Sequence, residues 1–217
     1  AIILEETPLG KPTGEKAASA LANGIREHGL AILAFSKEAQ QLRQRLGFLH
    51  RTIGDPWPDT SAEALVARLD EWFVPFQHDA KSIQDVKSGG IMDGLLSLVP
   101  HSAQREMGKL LPTHFEAPTG QKHPISYDGE EPTLTIRVQE LFGLKHHPSV
   151  AGGKLPLLLE LTSPAHRPIQ TTRDLPGFWA GSWKDVRADM RGRYPRHPWP
   201  EDPASAQPTN RVKPRGT

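Results

Sequence analysis

Residues 178–199 read FWAGSWKDVRADMRGRYPRHPW, a run that alternates cations with flat aromatic rings. A single-stranded nucleic acid needs both: cations to neutralise its phosphates and ring faces on which its bases stack. On a helix beginning at 183, with ~100° per residue, Trp183, Val186 and Met190 share one apolar edge. Lys184, Arg187 and Arg191 form the neighbouring stripe, while Asp185 and Asp189 face away. Arg193 and Arg196 carry the cationic strip past Gly192. Trp179, Tyr194 and Trp199 are stacking candidates, worth ~1–3 kcal/mol each against a base. Arg137 adds one cation on a polar strand face. A competing reading uses the same residues differently. Phe178, Trp179 and Trp183 fill a core, and Arg187 and Arg191 pair with acids such as Asp70, Glu71 or Asp93.

The charge distribution agrees with a basic carboxy-terminal quarter. The 217 residues hold 26 Lys and Arg against 25 Asp and Glu, yet this balance is uneven. Residues 1–160 carry 16 basic and 20 acidic side chains, a net of −4, and residues 161–217 carry 10 and 5, a net of +5. Three of the five tryptophans lie in that last segment. The absence of cysteine excludes disulfides, thiolate catalysis and Cys-ligated metals, and fits a reducing, cytoplasmic setting. No apolar run reaches the length of a membrane span.

Other chemistries lack their motifs. Gly152-Gly153-Lys154 is followed by Leu155, so the phosphate-cradling loop of a nucleotide motor is not formed. Asp70-Glu71-Trp72 starts like a Mg²⁺-binding helicase motif but does not continue as one. His146 and His147 are adjacent, so on a regular element they point apart, and no third ligand stands at a metal-site spacing. The expectation is no catalytic residue, no cofactor and no metal in this stretch of chain.

The elements that position the basic run follow from periodicity. Residues 15–28 place Ala17, Leu21 and Ile25 on one helical stripe. Ser36 caps a second helix carrying Leu42, Leu46, Leu49 and Ile53, with Lys37, Glu38, Arg43, Gln44 and Arg45 on its other face. Ser61 caps a third, with Leu65, Leu69, Trp72 and Phe76. Shorter helices are expected at about 90–99 and 102–111. The period then changes. Residues 115–117 and 124–127 flank the turn sequence Pro118-Thr119-Gly120-Gln121, which predicts a hairpin. Leu134, Ile136 and Val138 alternate with Thr133, Thr135, Arg137 and Gln139 as a half-buried strand, although 138–144 can instead turn into a short helix. Residues 155–161 read as a buried strand against which 168–172 can pair. Ser182 and Asp185 form a capping box for the last helix. Six prolines within 195–217 predict an extended Pro- and Arg-rich arm rather than a packed element. The fold class is α+β: a helical half over 15–111, then a small mixed or antiparallel sheet and terminal helix over 112–194. Residues 1–14 read as a linker or the end of a preceding domain.

The run DLPGFWAGSWKDVRADMRGRYPRHPWPEDP over 174–203 resembles the carboxy-terminal signature of bacterial HrpB-type ATP-dependent RNA helicases of the DEAH/RHA group. LDEWFVPF at 69–76, LPTHFEAPTG at 111–120 and RVQELFGL at 137–144 extend the resemblance. It implies an accessory region of a larger polypeptide, whose upstream RecA-like domains bind ATP and Mg²⁺, and it makes Ala1–Leu4 the last strand of what precedes. It transfers no site residues. The partners it implies are those upstream domains and single-stranded RNA or DNA. A rival reading of another class is a protein-interaction scaffold that docks on the helicase core without RNA affinity of its own. A third is a stand-alone protein with an unrecognised enzymatic site.

Overall fold

A computed structural model describes residues 13–211, so the strand expected at Ala1–Leu4 lies outside the described residues. The chain is α+β and divides into two compact units, the first ending at Arg105 and the second beginning at Glu106.

The first unit is helical because its apolar residues recur at helical period and its serines supply caps. Helix α1 spans Glu15–His28 and buries Ala17, Ala18, Ala22 and Ile25. In α2, Lys37–Ile53, the Ser36 hydroxyl accepts from the Ala39 amide, and Leu42, Leu46 and Leu49 are buried. Arg45, expected on the polar face, is buried as well. Ser61 caps α3, Ala62–Ala67, through the Ala64 amide. The single third helix expected through Phe76 is instead three pieces: α3, then α4 over Leu69–Trp72, then a 3-10 turn over Val74–Phe76. The break falls at Arg68, and its cause is visible. The buried Trp72 indole donates to the Leu65 carbonyl at 2.8 Å, an acceptor that an unbroken helix would reserve for the Leu69 amide. Helix α5, Ser88–Ser97, follows, and the boundary between the units falls within α6, His101–Leu110.

Gly94 sets how closely α5 approaches α4. A Cβ at that position would lie 1.9 Å from the Trp72 carbonyl oxygen, which is backbone and cannot rotate away. Gly94→Ala is therefore expected to destabilise the first unit by about 2–3 kcal/mol. Gly108→Ala, in α6 with nothing within 4 Å of its Cβ, should be neutral or slightly stabilising. Urea midpoints of the two variants check the pair. Equal midpoints would show that the close approach is not rigid.

After α6 the second unit forms the expected hairpin around the turn at 118–121, with strands β1 His114–Glu116 and antiparallel β2 Lys122–Pro124 rather than 115–117 and 124–127. A three-stranded mixed sheet follows: β3 Thr133–Arg137 runs parallel to β6 Leu158–Thr162, and β7 Pro168–Thr172 returns antiparallel to β6. Leu134 and Ile136 are buried and Thr135 is exposed, as their alternation requires. The run 155–161 is not one strand. Leu155–Pro156 forms β5, paired with β4 Ser149–Val150, and Leu157 is buried between β5 and β6. After Arg137 the chain takes the alternative route into a 3-10 turn, Val138–Leu141, which buries Gln139 and Glu140 instead of exposing Gln139 on a strand face.

Two helices close the unit. Helix α7, Leu175–Ala180, has no counterpart in the periodicity reading; Asp174 caps it by accepting from the Gly177 amide, and Pro176 occupies its first turn. Helix α8 spans Trp183–Arg193. The capping box expected at its start is not made, because Ser182 already has helical dihedrals and its hydroxyl donates to Gln170.

The tail after α8 departs most from expectation. Proline does remove regular structure, but the segment packs rather than extending clear of the unit. The Pro200 carbonyl accepts from the Trp183 indole, the Pro198 carbonyl from the Gln139 side chain, and the Pro203 carbonyl from the Gly143 amide. The Thr209 amide in turn donates to the Gln139 carbonyl. Gly143 has φ 88°, and a Cβ there would stand 3.2 Å from the Ala206 carbonyl oxygen, so glycine permits both the turn and the seating of the tail.

Candidate nucleic-acid interface

Helix α8 presents its apolar edge inward, with Trp183 and Met190 buried and Val186 half-buried. Lys184 and Arg191 are exposed, Arg187 half-buried. The helix period is therefore a sound guide to which residues of α8 meet solvent. It is a poor guide to the aromatics.

Trp179, Trp183 and Trp199 belong to one cluster with Phe142 and Phe178. Ring centroids lie 5.4 Å apart for Trp179 and Trp183, 5.6 Å for Phe142 and Trp183, and 6.1 Å for Trp183 and Trp199. The first two pairs meet edge to face, the arrangement favoured by ring quadrupoles. Each of the three indole N–H groups is satisfied by backbone: Trp179 donates to Leu144, Trp183 to Pro200 and Trp199 to Tyr194. Trp179 and Trp199 are thus core residues and not stacking platforms. Tyr194 is half-buried, its hydroxyl 3.3 Å from that of Ser163 and its ring edge-on to His197.

The predicted cations separate into committed and uncommitted groups. Arg137 is committed: its Nε donates to Glu140 at 2.8 Å, and Glu140 is fully buried. His123 approaches the other carboxylate oxygen at 2.9 Å, and the Thr119 hydroxyl donates to that oxygen. Arg137 therefore closes a buried polar network instead of presenting a free charge on the sheet. Arg193 pairs with Asp189 one turn earlier at 2.9 Å, which puts it on the acidic side of α8, not on the basic strip. Arg187 donates Nε to the Trp199 carbonyl at 2.9 Å and Nη2 to Glu201 at 3.1 Å. Its anionic partner is thus Glu201; Asp70 and Glu71 have their own cations, Arg26 and Arg68. Lys184, Arg191 and Arg196 are exposed and have no carboxylate partner among the described residues.

A cleft of about 380 Å³ lies against this strip, lined by Arg187, Arg191, Pro195, His197 and Trp199. His197 is absent from the sequence-derived set. Burial, reinforced by the charges of Arg137 and Arg196, holds its imidazole pKa below the ordinary 6.5. At neutral pH the ring is a neutral hydrogen-bonding group among cations. Its one sequence signal is its place in the run Tyr-Pro-Arg-His-Pro. Glu140 carries a clearer one, an Arg and a Glu three residues apart at a strand end.

His147 has a structural role. Its Nδ1 accepts from the Leu175 amide at the start of α7, so its Nε2 donates to the Leu157 carbonyl. No helix among the described residues is long and apolar enough to cross a membrane.

The sequence places the chain in a class: residues 72–203 match the ATP-dependent helicase C-terminal family, and the chain belongs to that family. It is 41% identical over 208 residues to the ATP-dependent RNA helicase HrpB of Escherichia coli K12, covering 95% of this chain and 26% of that protein. The crystal structure of the E. coli DExH-box NTPase HrpB superposes with a TM-score of 0.85 over 95% of this chain and 26% of the other. That of the E. coli DEAH/RHA helicase HrpB gives 0.73 at 38% identity, over 89% and 25%. The chain thus spans about a quarter of the length of the relatives it matches.

Proposed function

We propose that this region helps hold or guide single-stranded nucleic acid for an ATP-dependent RNA helicase whose RecA-like domains, with ATP and Mg²⁺, do the mechanical work in the cytoplasm. One observation carries the reading. Lys184, Arg191 and Arg196 are exposed cations without a carboxylate partner among the described residues, and Arg187 and the cleft adjoin them. Cations meant only for solubility are usually interspersed with acids, whereas a phosphate-tracking strip leaves its charges free. With the tryptophans withdrawn into the core, recognition is electrostatic and tolerant of sequence.

Fluorescence anisotropy with a labelled single-stranded RNA at two salt concentrations tests this. The 217-residue chain should bind at low salt and release as salt rises. Replacing Lys184, Arg191 and Arg196 together by Ala should flatten the log–log salt slope by about 2, at ~0.7 for each phosphate no longer neutralised. Affinity at low salt should fall at least about tenfold, roughly 1.4 kcal/mol. No binding at low salt, or an unchanged slope in the triple variant, rejects the proposal. Retained association with the RecA-like domains without RNA affinity would then favour a docking role.

A further inference from the structure

The cleft beside α8 has features that a generally basic surface lacks. Arg187 and Arg191 stand one turn apart on the same helix, so both guanidinium groups reach one side of it. Arg187 is held in place: its Nε is fixed by the Trp199 carbonyl, and Trp199 is itself locked in the aromatic cluster through its indole N–H to Tyr194. His197 and Pro195 line the cleft from the turn that follows α8. A guanidinium fixed in this way, with a second guanidinium and an imidazole lining the same cleft, lowers the ordering cost that an anionic ligand must offset.

We propose that this cleft seats one phosphate group of a single strand, with Arg187 and Arg191 as its cationic ligands and His197 as a third ligand that takes up a proton when the phosphate binds. The inference rests on the nucleic-acid reading for the source of the phosphate. It does not rest on it for the chemistry, because a free tetrahedral anion would meet the same groups.

The sign of the proton coupling follows from the surroundings of His197. The charged and titratable groups around it are Arg137 at the end of β3, Arg187 and Arg191 on α8, and Tyr194 and Arg196 on its own turn. Two of these cations are partly answered, Arg137 by Glu140 and Arg187 by Glu201. Burial first, and then the positive field of Arg137 and Arg196, disfavours the imidazolium in the empty cleft. A phosphate oxygen cancels that field and accepts from the protonated ring, so the proton is favoured in the complex. Affinity then rises as pH falls through the histidine range. Glu201 works against the ligand: its carboxylate occupies Arg187 from a largely exposed position, where such a pair is weak and readily displaced.

The test uses the 217-residue chain, an eight-nucleotide oligouridylate whose phosphodiesters keep a constant charge from about pH 8 to about pH 5.5, and sulfate as a free anion of constant charge. The His197 ring proton, assigned by its loss in His197→Gln, is followed by NMR with and without each ligand. The oligonucleotide should move the His197 titration upward. Its affinity should rise about tenfold across that pH range in the parent chain and by less in His197→Gln. Glu201→Gln should tighten binding several-fold at every pH. A merely structural His197 would not produce the shift in its own titration or the loss of pH dependence in His197→Gln. If the oligonucleotide binds but the His197 titration is unmoved and His197→Gln keeps the same pH dependence, the phosphate seat is overturned while the nucleic-acid reading stands. If sulfate moves His197 and the oligonucleotide does not bind, the seat is supported as a free-anion site and the nucleic-acid reading fails.

Discussion

Trp183→Ala is expected to cost about 3–5 kcal/mol, the range for truncating a large aromatic in a packed core. Trp183 is 1% exposed and touches Phe142, Phe178, Trp179 and Trp199, so its removal opens a cavity against four rings at once. It also orphans the Pro200 carbonyl, one of the acceptors that seat the tail. A loss of this size is a large share of the roughly 5–15 kcal/mol that stabilises a typical domain. Near-UV circular dichroism should lose intensity, and the urea midpoint should fall steeply. Trp183→Phe keeps much of the volume but not the N–H, and should cost roughly half as much. The experiment also separates the two roles considered for these rings. If Trp179 and Trp199, which pack in the same cluster, stacked on bases, their replacement would weaken RNA binding with stability intact. The core assignment requires the reverse: stability falls first, and affinity changes only where the unit has unfolded. A Trp183→Ala chain as stable as the parent overturns it.

Glu140→Ala is the second large effect, at about 3–4 kcal/mol. The carboxylate is completely buried and answers Arg137 and His123, each about one-fifth exposed. Deleting one member of a buried ionic group costs ~3–5 kcal/mol because the remaining charge stays desolvated without a partner. Partial exposure of Arg137 and His123 places the expectation in the lower part of that range. Glu140→Gln keeps the shape and one acceptor, so its loss should be smaller. Replacing Arg137 and Glu140 together by Leu should recover a good part of the deficit, since no orphaned charge then remains. Chemical denaturation of the parent, Arg137→Leu, Glu140→Leu and the double variant provides the double-mutant cycle. A single Glu140→Ala loss below about 1 kcal/mol would mean that the network fills space without contributing energy. The same experiment bears on Arg137 as a nucleic-acid ligand: an arginine closing a buried carboxylate has little charge to offer a phosphate, and Arg137→Leu should lower stability without altering the salt slope.

The helices are legible in the sequence wherever their signal is local. Ser36 and Ser61 cap as expected because the capping hydroxyl and its amide are three residues apart. The stripe Leu42, Leu46 and Leu49 is buried because helix geometry puts those positions on one face whatever lies opposite. The strand at 133–137 is equally plain from its alternation. Expectation and structure part where a distant group intervenes. The third helix breaks at Arg68 because the Trp72 indole takes the Leu65 carbonyl. Ser182 forms no cap because Gln170, twelve residues away, receives its hydroxyl. Helix α7 escapes a reading by period although Asp174 and Pro176 are good start signals, because the aromatic run beside them suggests ligand binding rather than a short buried helix.

At the candidate site, the order of residues is enough to establish the family, the excess positive charge after residue 160 and the side of α8 that meets solvent. These follow from motif, composition and helical period, all readable along one dimension. Which of those charges are free and which rings are available is settled in three dimensions. Lys184, Arg191 and Arg196 stay open because no carboxylate among the described residues folds back to them. Arg137 and Arg193 are claimed by Glu140 and Asp189, and His197 gains its place by lining the cleft. The reason is energetic. An indole stays in the core when its N–H finds a carbonyl and its faces find other rings, and an arginine stays free when nothing acidic lies within reach. Both conditions depend on what the fold brings alongside, which a one-dimensional order of residues does not state.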